Sequence, residues 1–267
     1  YQGYPDLAKL PQAQERSAAA HAEGKRLFMY SSQCLAENSP EAELWGKEWY
    51  APPTRQWYRR AYDPGKGVPC RVSCFRGAAG ELLLSGFSRL VKEAGLDGIY
   101  MDGPSYPFNC ENPSHRCSDN LPADFDDDAR SGRILGQRQF LKRLRGVFDA
   151  AGKESPLWAH TGGGLDLATL SLCDYFYEGE QLSRYRQGYL IDPAIFTIGY
   201  SGKAFGFRGI FLQVNYADAT GSRRALNWGL THDVEAIFEH PEDAQTQNAF
   251  LKPVRETPGT RFYPYYQ

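Results

Sequence analysis

The chain has 267 residues, a formal net charge of -2, 42% hydrophobic residues and 23% charged residues. This composition is typical of a globular protein, and the length is sufficient for one large domain with a sizeable buried core. The near-neutral charge gives no indication of a nucleic-acid or anionic-membrane partner, and no apolar run reaches the roughly 18 residues of a membrane-spanning helix.

Helical and strand-like patterns alternate along the chain. Helical patterns cover 7–24, 87–95, 133–152 and 165–172, and strand-like runs follow them at 26–33, 97–103, 156–164 and 173–181. Two more strand-like runs cover 209–216 and 227–234. Strands that alternate with helices predict an α/β protein with a parallel sheet.

Several of the predicted strands end in polar or acidic residues that precede glycine-rich loops. This arrangement is typical of a (β/α)8 TIM-type barrel, whose active site lies at the carboxyl ends of the strands. Six or seven strands are recognisable where a closed barrel needs eight, so we expect one or two amino-terminal strands to lie outside this sequence or to pair in an irregular way. The barrel domain is predicted over 1–240, and 241–267 is predicted to lead out of it. An open doubly wound sheet is the alternative fold. The sequence has no G-x-G-x-x-G motif after its first strand, which disfavours a dinucleotide-binding fold.

Two acidic residues end predicted strands. Asp102 shares a strand face with Tyr100, and Glu180 shares one with Glu178, because side chains alternate along a strand. If both faces point into the barrel mouth, Asp102 and Glu180 converge as the carboxylate pair of a glycoside hydrolase. The alternative for Asp102 is a turn cap, since Asp before Gly-Pro is a turn signal. Glu178 is the alternative to Glu180.

Other polar and aromatic residues at strand ends are candidate sugar-binding groups. His160 ends the run "LWAH" ahead of a glycine-rich loop, where it is predicted to reach a sugar hydroxyl or a catalytic carboxylate. Aromatic residues form 14% of the chain, and their faces pack well against sugars. The predicted substrate-binding residues are Tyr30, Tyr100, His160, Glu178, Asn215 and Trp228. Packing or loop anchoring is the alternative for Tyr30, Asn215 and Trp228, and a hydrogen-bonded interior histidine is the alternative for His160.

The segment "NCENPSHRC" contains Cys110, His115 and Cys117 within eight positions. A Cys-His-Cys metal knuckle is one interpretation, but zinc requires four ligands and no fourth is evident from the spacing. The preferred prediction is a disulfide between Cys110 and Cys117, with no metal. Metal-dependent hydrolysis through His160, His115 and the cysteines is a third hypothesis.

Four motifs in order resemble a known group of barrel proteins. "DGIYMDG", then C-x-N-P-x-H-x-C, "AHTGG" and "YxEGEQ" are similar to glycoside-hydrolase-like proteins related to glycoside hydrolase family 123. The resemblance covers roughly 1–230 and implies a barrel with a sugar-directed cleft, in which Asp102 and Glu180 are the best-matched acids. It also implies a secreted or periplasmic location, which agrees with a disulfide.

Family 123 enzymes themselves cleave terminal β-linked N-acetylgalactosamine with an adjacent Asp-Glu pair. This chain has single acids on separate strands, so neither that substrate nor the acetamido-assisted mechanism is predicted for it. The function predicted is hydrolysis of a poly- or oligosaccharide by two carboxylates without a cofactor, and the only partner expected is the carbohydrate. The alternative is a non-catalytic carbohydrate-binding or structural protein on a degenerate barrel.

Overall fold

The computed structural model describes residues 5–50, 56–58, 70–103, 110, 112–115, 117, 131–154, 156–160, 167–179, 193–201, 205–206, 208–212, 227, 229–237, 241–261 and 263. The chain divides into two compact units. The first comprises Tyr1–Ala159 and Asp166–Cys173, and the second comprises His160–Leu165 and Asp174–Gln267. Within the described residues, no helix has both the length and the hydrophobicity needed to cross a bilayer.

The first unit contains two groups of strands and most of the helices. Its elements in chain order are a 3-10 turn (Leu7–Lys9), α1 (Leu10–Ala22), β1 (Phe28–Ser32), β2 (Cys34–Ala36), α2 (Pro40–Trp49), β3 (Gln56–Tyr58), β4 (Cys70–Val72), α3 (Ala78–Ala94), β5 (Gly98–Asp102), a second 3-10 turn (Pro113–His115), α4 (Ser131–Asp149), β6 (Leu157–His160) and α5 (Leu167–Leu170). Strands β1, β5 and β6 lie side by side in that order, and β2, β4 and β3 form a separate sheet.

Helix α3 and strand β5 show how the sequence builds the core of this unit. Leu83 and Phe87 lie one turn apart on α3 and are fully buried, and α3 packs against both α1 and α4. The helix ends at Gly95, whose φ of 73° is left-handed and favours glycine. On β5, Ile99 and Met101 are buried, whereas Tyr100 and Asp102 on the other face are partly exposed. The opposite face of β5 therefore remains available for a site.

The second unit contains a parallel set of strands. Its elements are β7 (Tyr175–Glu178), α6 (Pro193–Gly199), β8 (Arg208–Leu212), β9 (Glu235–Ile237) and α7 (Pro241–Glu256). β8 pairs in parallel with β7 on one side and with β9 on the other. Helix α7 packs beside β9, where Arg255 pairs with Asp233 at 2.8 Å and with Glu235 at 2.9 Å.

The parallel pairs in both units confirm the predicted α/β class with a parallel sheet. Closure into an eight-stranded barrel and a domain boundary at residue 240 remain predictions. The predicted strand over 227–234 is wrong: residues 227 and 229–232 are helical. The Thr231 hydroxyl donates to the Asn227 carbonyl at 2.8 Å, and the Val234 N–H donates to Gly229 at 2.9 Å. These bonds satisfy the local backbone as a helix, and the strand β9 begins only afterwards.

Asp97, immediately before β5, connects three segments of the first unit. Its Oδ2 lies 2.7 Å from His21 Nε2 and accepts a bond of 2.8 Å from the Leu27 N–H, while Oδ1 lies 3.2 Å from Lys153 Nζ. Burial acts to raise the pKa of the Asp97 carboxyl, but the bonds from Leu27, His21 and Lys153 outweigh it, so the pKa is lowered. Its charge therefore stabilises the folded chain.

We expect Asp97→Asn to reduce the free energy of unfolding by about 1–2 kcal/mol near neutral pH, since it removes charge-assisted bonds. The folded pKa is below the unfolded one, so this contribution is present above about pH 4 and disappears as the pH falls through the folded pKa. Urea unfolding at about pH 7 and pH 3 measures the difference, and Glu154→Gln is an exposed control. An equal loss at both pH values would contradict the assignment.

Candidate functional site

Asp102 and Tyr30 are joined across the parallel pair of β1 and β5. Tyr30 lies beside Tyr100 in the register, and Ser32 lies beside Asp102. The Tyr30 hydroxyl donates to Asp102 Oδ2 at 2.7 Å, and the carboxylate is partly exposed. Gly103 follows at once with a φ of 76°, a backbone conformation that favours glycine. The end of β5 therefore presents an oriented carboxylate.

Aromatic rings extend from this carboxylate along the same face of the first unit. The ring centroids of Tyr30 and Tyr100 are 5.6 Å apart, those of Tyr100 and Trp158 are 6.4 Å apart, and those of Phe28 and Trp158 are 5.2 Å apart. All four side chains are partly exposed. Phe28 lies over Gly98, where a Cβ would be 2.2 Å from the ring. We call these four rings with Asp102 the aromatic face.

The aromatic face has the composition of a sugar-binding surface. Aromatic rings pack against the apolar C–H faces of sugars, tyrosine hydroxyls donate hydrogen bonds, and a carboxylate accepts bonds from sugar hydroxyls or acts chemically. Trp158 was not among the predicted residues. Its position two residues before His160 in "LWAH" is the signal that could have identified it, because alternate residues of a strand share a face.

Two other predicted residues lie in the second unit. His160 is buried, and its ring meets that of Tyr177 edge-on with centroids 5.2 Å apart. Glu178 ends β7 and is only 2% exposed, and its Oε1 accepts a bond of 3.0 Å from the Gly179 N–H. The φ of Gly179 is 137°, which favours glycine at this turn. A buried carboxylate thus ends β7 at Glu178, whereas the predicted strand end was Glu180.

The structure brings Tyr30, Tyr100 and Asp102 together and places His160 beside Tyr177. Glu180, Asn215 and Trp228 lie outside the described residues, so their roles remain predictions. The roles of Asp102 as a catalytic group and of Glu178 as a sugar ligand also remain predictions.

The predicted disulfide between Cys110 and Cys117 is absent, and all six cysteines are free thiols. The Cys110 Sγ instead lies 3.1 Å from His115 Nδ1, and the Cys117 Sγ lies 3.6 Å from the Cys74 Sγ. Each sulfur of the predicted pair therefore contacts a residue from outside that pair. Sequence spacing did not reveal Cys74 as a member of this group.

No family model matches this sequence, and no curated protein matches it. The fold does resemble solved structures. One is an α-L-fucosidase isoenzyme 2 from Paenibacillus thiaminolyticus, with a TM-score of 0.59, 14% identity, and coverage of 91% of this chain and 39% of that one. A second is an α-galactosidase from Lactobacillus brevis, with a TM-score of 0.57, 17% identity, and coverage of 94% and 33%.

A third similar structure is the α-N-acetylgalactosaminidase NagBb from Bifidobacterium bifidum, with a TM-score of 0.60, 11% identity, and coverage of 88% of this chain and 36% of that one. This chain therefore spans less than two fifths of each of the three relatives' length. The comparisons support the glycoside-hydrolase-like part of the resemblance and do not support family 123 in particular. In fold, the chain is similar to part of a glycoside hydrolase.

Proposed function

We propose that this chain hydrolyses a glycosidic bond and that Asp102 is one of its two catalytic carboxylates. The observation that carries the proposal is the Asp102 carboxylate at the carboxyl end of a parallel strand, hydrogen-bonded to Tyr30 and beside the other rings of the aromatic face. Carboxyl ends of strands are where α/β enzymes place catalytic groups. The fold likeness to three glycosidases supports the same reaction class.

In this proposal Asp102 is the nucleophile or the group that stabilises the positively charged transition state. The Tyr30 hydroxyl fixes one carboxylate oxygen, which orients the other relative to the anomeric carbon. The rings of Tyr100 and Trp158 would position the sugar by stacking. The general acid/base is the predicted Glu180, which protonates the leaving oxygen in a two-carboxylate mechanism.

The substrate class is proposed from the relatives, whose names specify α-linked fucose, galactose and N-acetylgalactosamine. A panel of nitrophenyl glycosides that contains these three sugars and β-N-acetylgalactosamine tests the proposal. We expect the purified chain to release nitrophenol from at least one α-glycoside. Absence of turnover across the panel, or undiminished turnover by Asp102→Asn, would overturn it.

Carbohydrate binding without catalysis is the second candidate, and the aromatic face supports it as well. It predicts that a sugar quenches the tryptophan fluorescence without any hydrolysis. Trp158→Ala would then weaken binding, because stacking on an indole ring contributes about 1 kcal/mol or more. Turnover that Asp102→Asn removes would exclude this candidate.

A further inference from the structure

Four potential metal ligands meet in the interior of the first unit. Cys74 follows β4, whereas Cys110, His115 and Cys117 belong to the segment after β5. Their exposed fractions are 3%, 9%, 5% and 6%. The ligand atoms of Cys74, Cys110 and His115 all lie within 4.8 Å of one another, and the Cys117 Sγ is 3.6 Å from the Cys74 Sγ. We call these four residues the Cys3His cluster.

Two distances within the cluster are close to the edges of a metal tetrahedron. With Zn–S bonds of about 2.3 Å and Zn–N bonds of about 2.0 Å, tetrahedral geometry separates two sulfurs by about 3.8 Å and a sulfur and a nitrogen by about 3.5 Å. The observed Cys74–Cys117 separation is 3.6 Å, and the Cys110–His115 separation is 3.1 Å. Both lie within a few tenths of an ångström of these edges.

The imidazole of His115 is oriented as a ligand. Its Nε2 is hydrogen-bonded to the backbone carbonyl of Glu48, and a carbonyl can only accept, so Nε2 carries the proton. In the neutral ring the lone pair is then on Nδ1, which faces the Cys110 Sγ. Metal-binding histidines usually donate their other ring N–H to a carbonyl or carboxylate in this way.

The backbone around the cluster provides further hydrogen bonds to the sulfurs. The Arg76 N–H donates to the Cys74 sulfur, and the Asn112 N–H donates to the Cys110 sulfur. In both cases the donor follows the cysteine by two residues. Bonds from backbone N–H groups to a sulfur favour its anionic form, which is the form that binds a metal.

The Asn112 side chain fixes the segment against the end of α2. Its Nδ2 lies 3.0, 3.2 and 3.1 Å from the carbonyl oxygens of Lys47, Glu48 and Tyr50, and its Oδ1 accepts a bond of 3.0 Å from the Ser114 N–H. Two of the last carbonyls of α2 and the carbonyl of Tyr50, which follows the helix, therefore receive donors from this segment. These bonds position the loop that provides three of the four ligands.

We propose that Cys74, Cys110, His115 and Cys117 bind one zinc ion as a structural site. Three sulfurs and one imidazole nitrogen match the Cys3His ligand set of structural zinc, and soft thiolates in a tetrahedral arrangement favour zinc over magnesium, calcium or manganese. The protein fills all four positions, so the ion would have no open position for a substrate. Its role is to join the end of β4 to the segment after β5, and Asp102 takes no part in it.

Metal content and cobalt substitution test this proposal without reference to any activity. We expect the full chain, purified without chelator, to contain about one zinc per chain, and the cobalt-loaded protein to show the visible absorption of tetrahedral cobalt bound to thiolate. Cys74→Ser should weaken binding in a chelator competition by at least about 100-fold, because it removes a direct ligand. Cys173→Ser, at a buried cysteine outside the cluster, should leave it unchanged.

A thiol titration keeps the proposal falsifiable if Cys74→Ser does not fold. Chelator-treated wild-type chain should expose three more reactive thiols than zinc-loaded chain, and zinc binding should release protons. Equal thiol counts with and without zinc, or wild-type affinity in Cys74→Ser, would overturn the proposal. So would a disulfide among Cys74, Cys110 and Cys117 in freshly purified protein.

Discussion

Asp102→Asn is expected to reduce kcat/KM for the best glycoside of the panel by about 1,000-fold or more, with unfolding free energy nearly unchanged. Asparagine has the same shape, and its amide oxygen can still accept the bond from the Tyr30 hydroxyl, so the local packing is retained. What is lost is the negative charge that attacks the anomeric carbon or stabilises its transition state, and such a group contributes about 100-fold to 10,000-fold or more. Initial rates with the aryl glycoside measure this loss.

Asp97→Asn is the matched control, because it is the same substitution at the opposite end of β5. Its carboxylate contacts His21 and Lys153 and lies outside the aromatic face, so it should lower stability and leave the turnover of folded protein unchanged. Tyr30→Phe should lower kcat/KM by about 10-fold, since only the orienting hydroxyl is removed. Similar losses in Asp97→Asn and Asp102→Asn would show that the effect is structural.

The sequence was most informative where structure is local. The apolar spacing of α3, its end at Gly95 and the alternating pattern of β5 predicted the second half of the helix, its stop and the two faces of the strand, whereas the start of the helix at Ala78 was missed. The antiparallel sheet of β2, β4 and β3 was not predicted, because each strand has three residues and the pairing is irregular at Gln56 and Tyr58. A strand of three residues is too short to show an alternating pattern. Only the pairing with neighbouring strands in the fold defines these segments as strands.

Helix α2 was also missed, although its start carries a recognisable signal. Ser39 accepts a bond of 3.3 Å from the Ala42 N–H, and Pro40 occupies the first helical position. Ser followed by Pro and Glu is a common helix start. The exposed Leu44 and Trp45 blur the polar face of the helix, which weakens the pattern on which the prediction depended.

The two candidate sites differ in how far the sequence could predict them. Asp102 and Tyr30 were each identified as strand-end residues, but their hydrogen bond joins residues 72 positions apart through the parallel register of β1 and β5. A disulfide was predicted in place of the Cys3His cluster for the same reason. Cys74 and Cys117 are 43 positions apart, and only the fold brings the fourth ligand to the other three. The spacing within "NCENPSHRC" alone favoured a disulfide between Cys110 and Cys117.

Gly77→Ala is expected to reduce the free energy of unfolding by about 2–3 kcal/mol, the range for forcing a methyl group into a packed interior. Gly77 precedes α3 with φ of -89°, which any residue adopts, so the effect would be steric. A Cβ there would lie 2.2 Å from His115 Nε2. The ring is 5% exposed and hydrogen-bonded to the Glu48 carbonyl, so it could move only by breaking that bond and turning Nδ1 away from Cys110. Urea unfolding measures the change.

Gly146→Ala is the control for the same substitution without a steric contact. Gly146 is exposed in α4 and a Cβ there meets nothing within 4 Å, so this change should increase stability by about 0.5–1 kcal/mol through helix propensity. His115→Ala in combination with Gly77→Ala then tests the cause. If the clash is with the imidazole, Gly77→Ala should destabilise the His115→Ala background much less than the wild type, so the two changes would not be additive. Full additivity would mean that the ring does not cause the loss, and that the space beside Gly77 is restricted by the backbone instead.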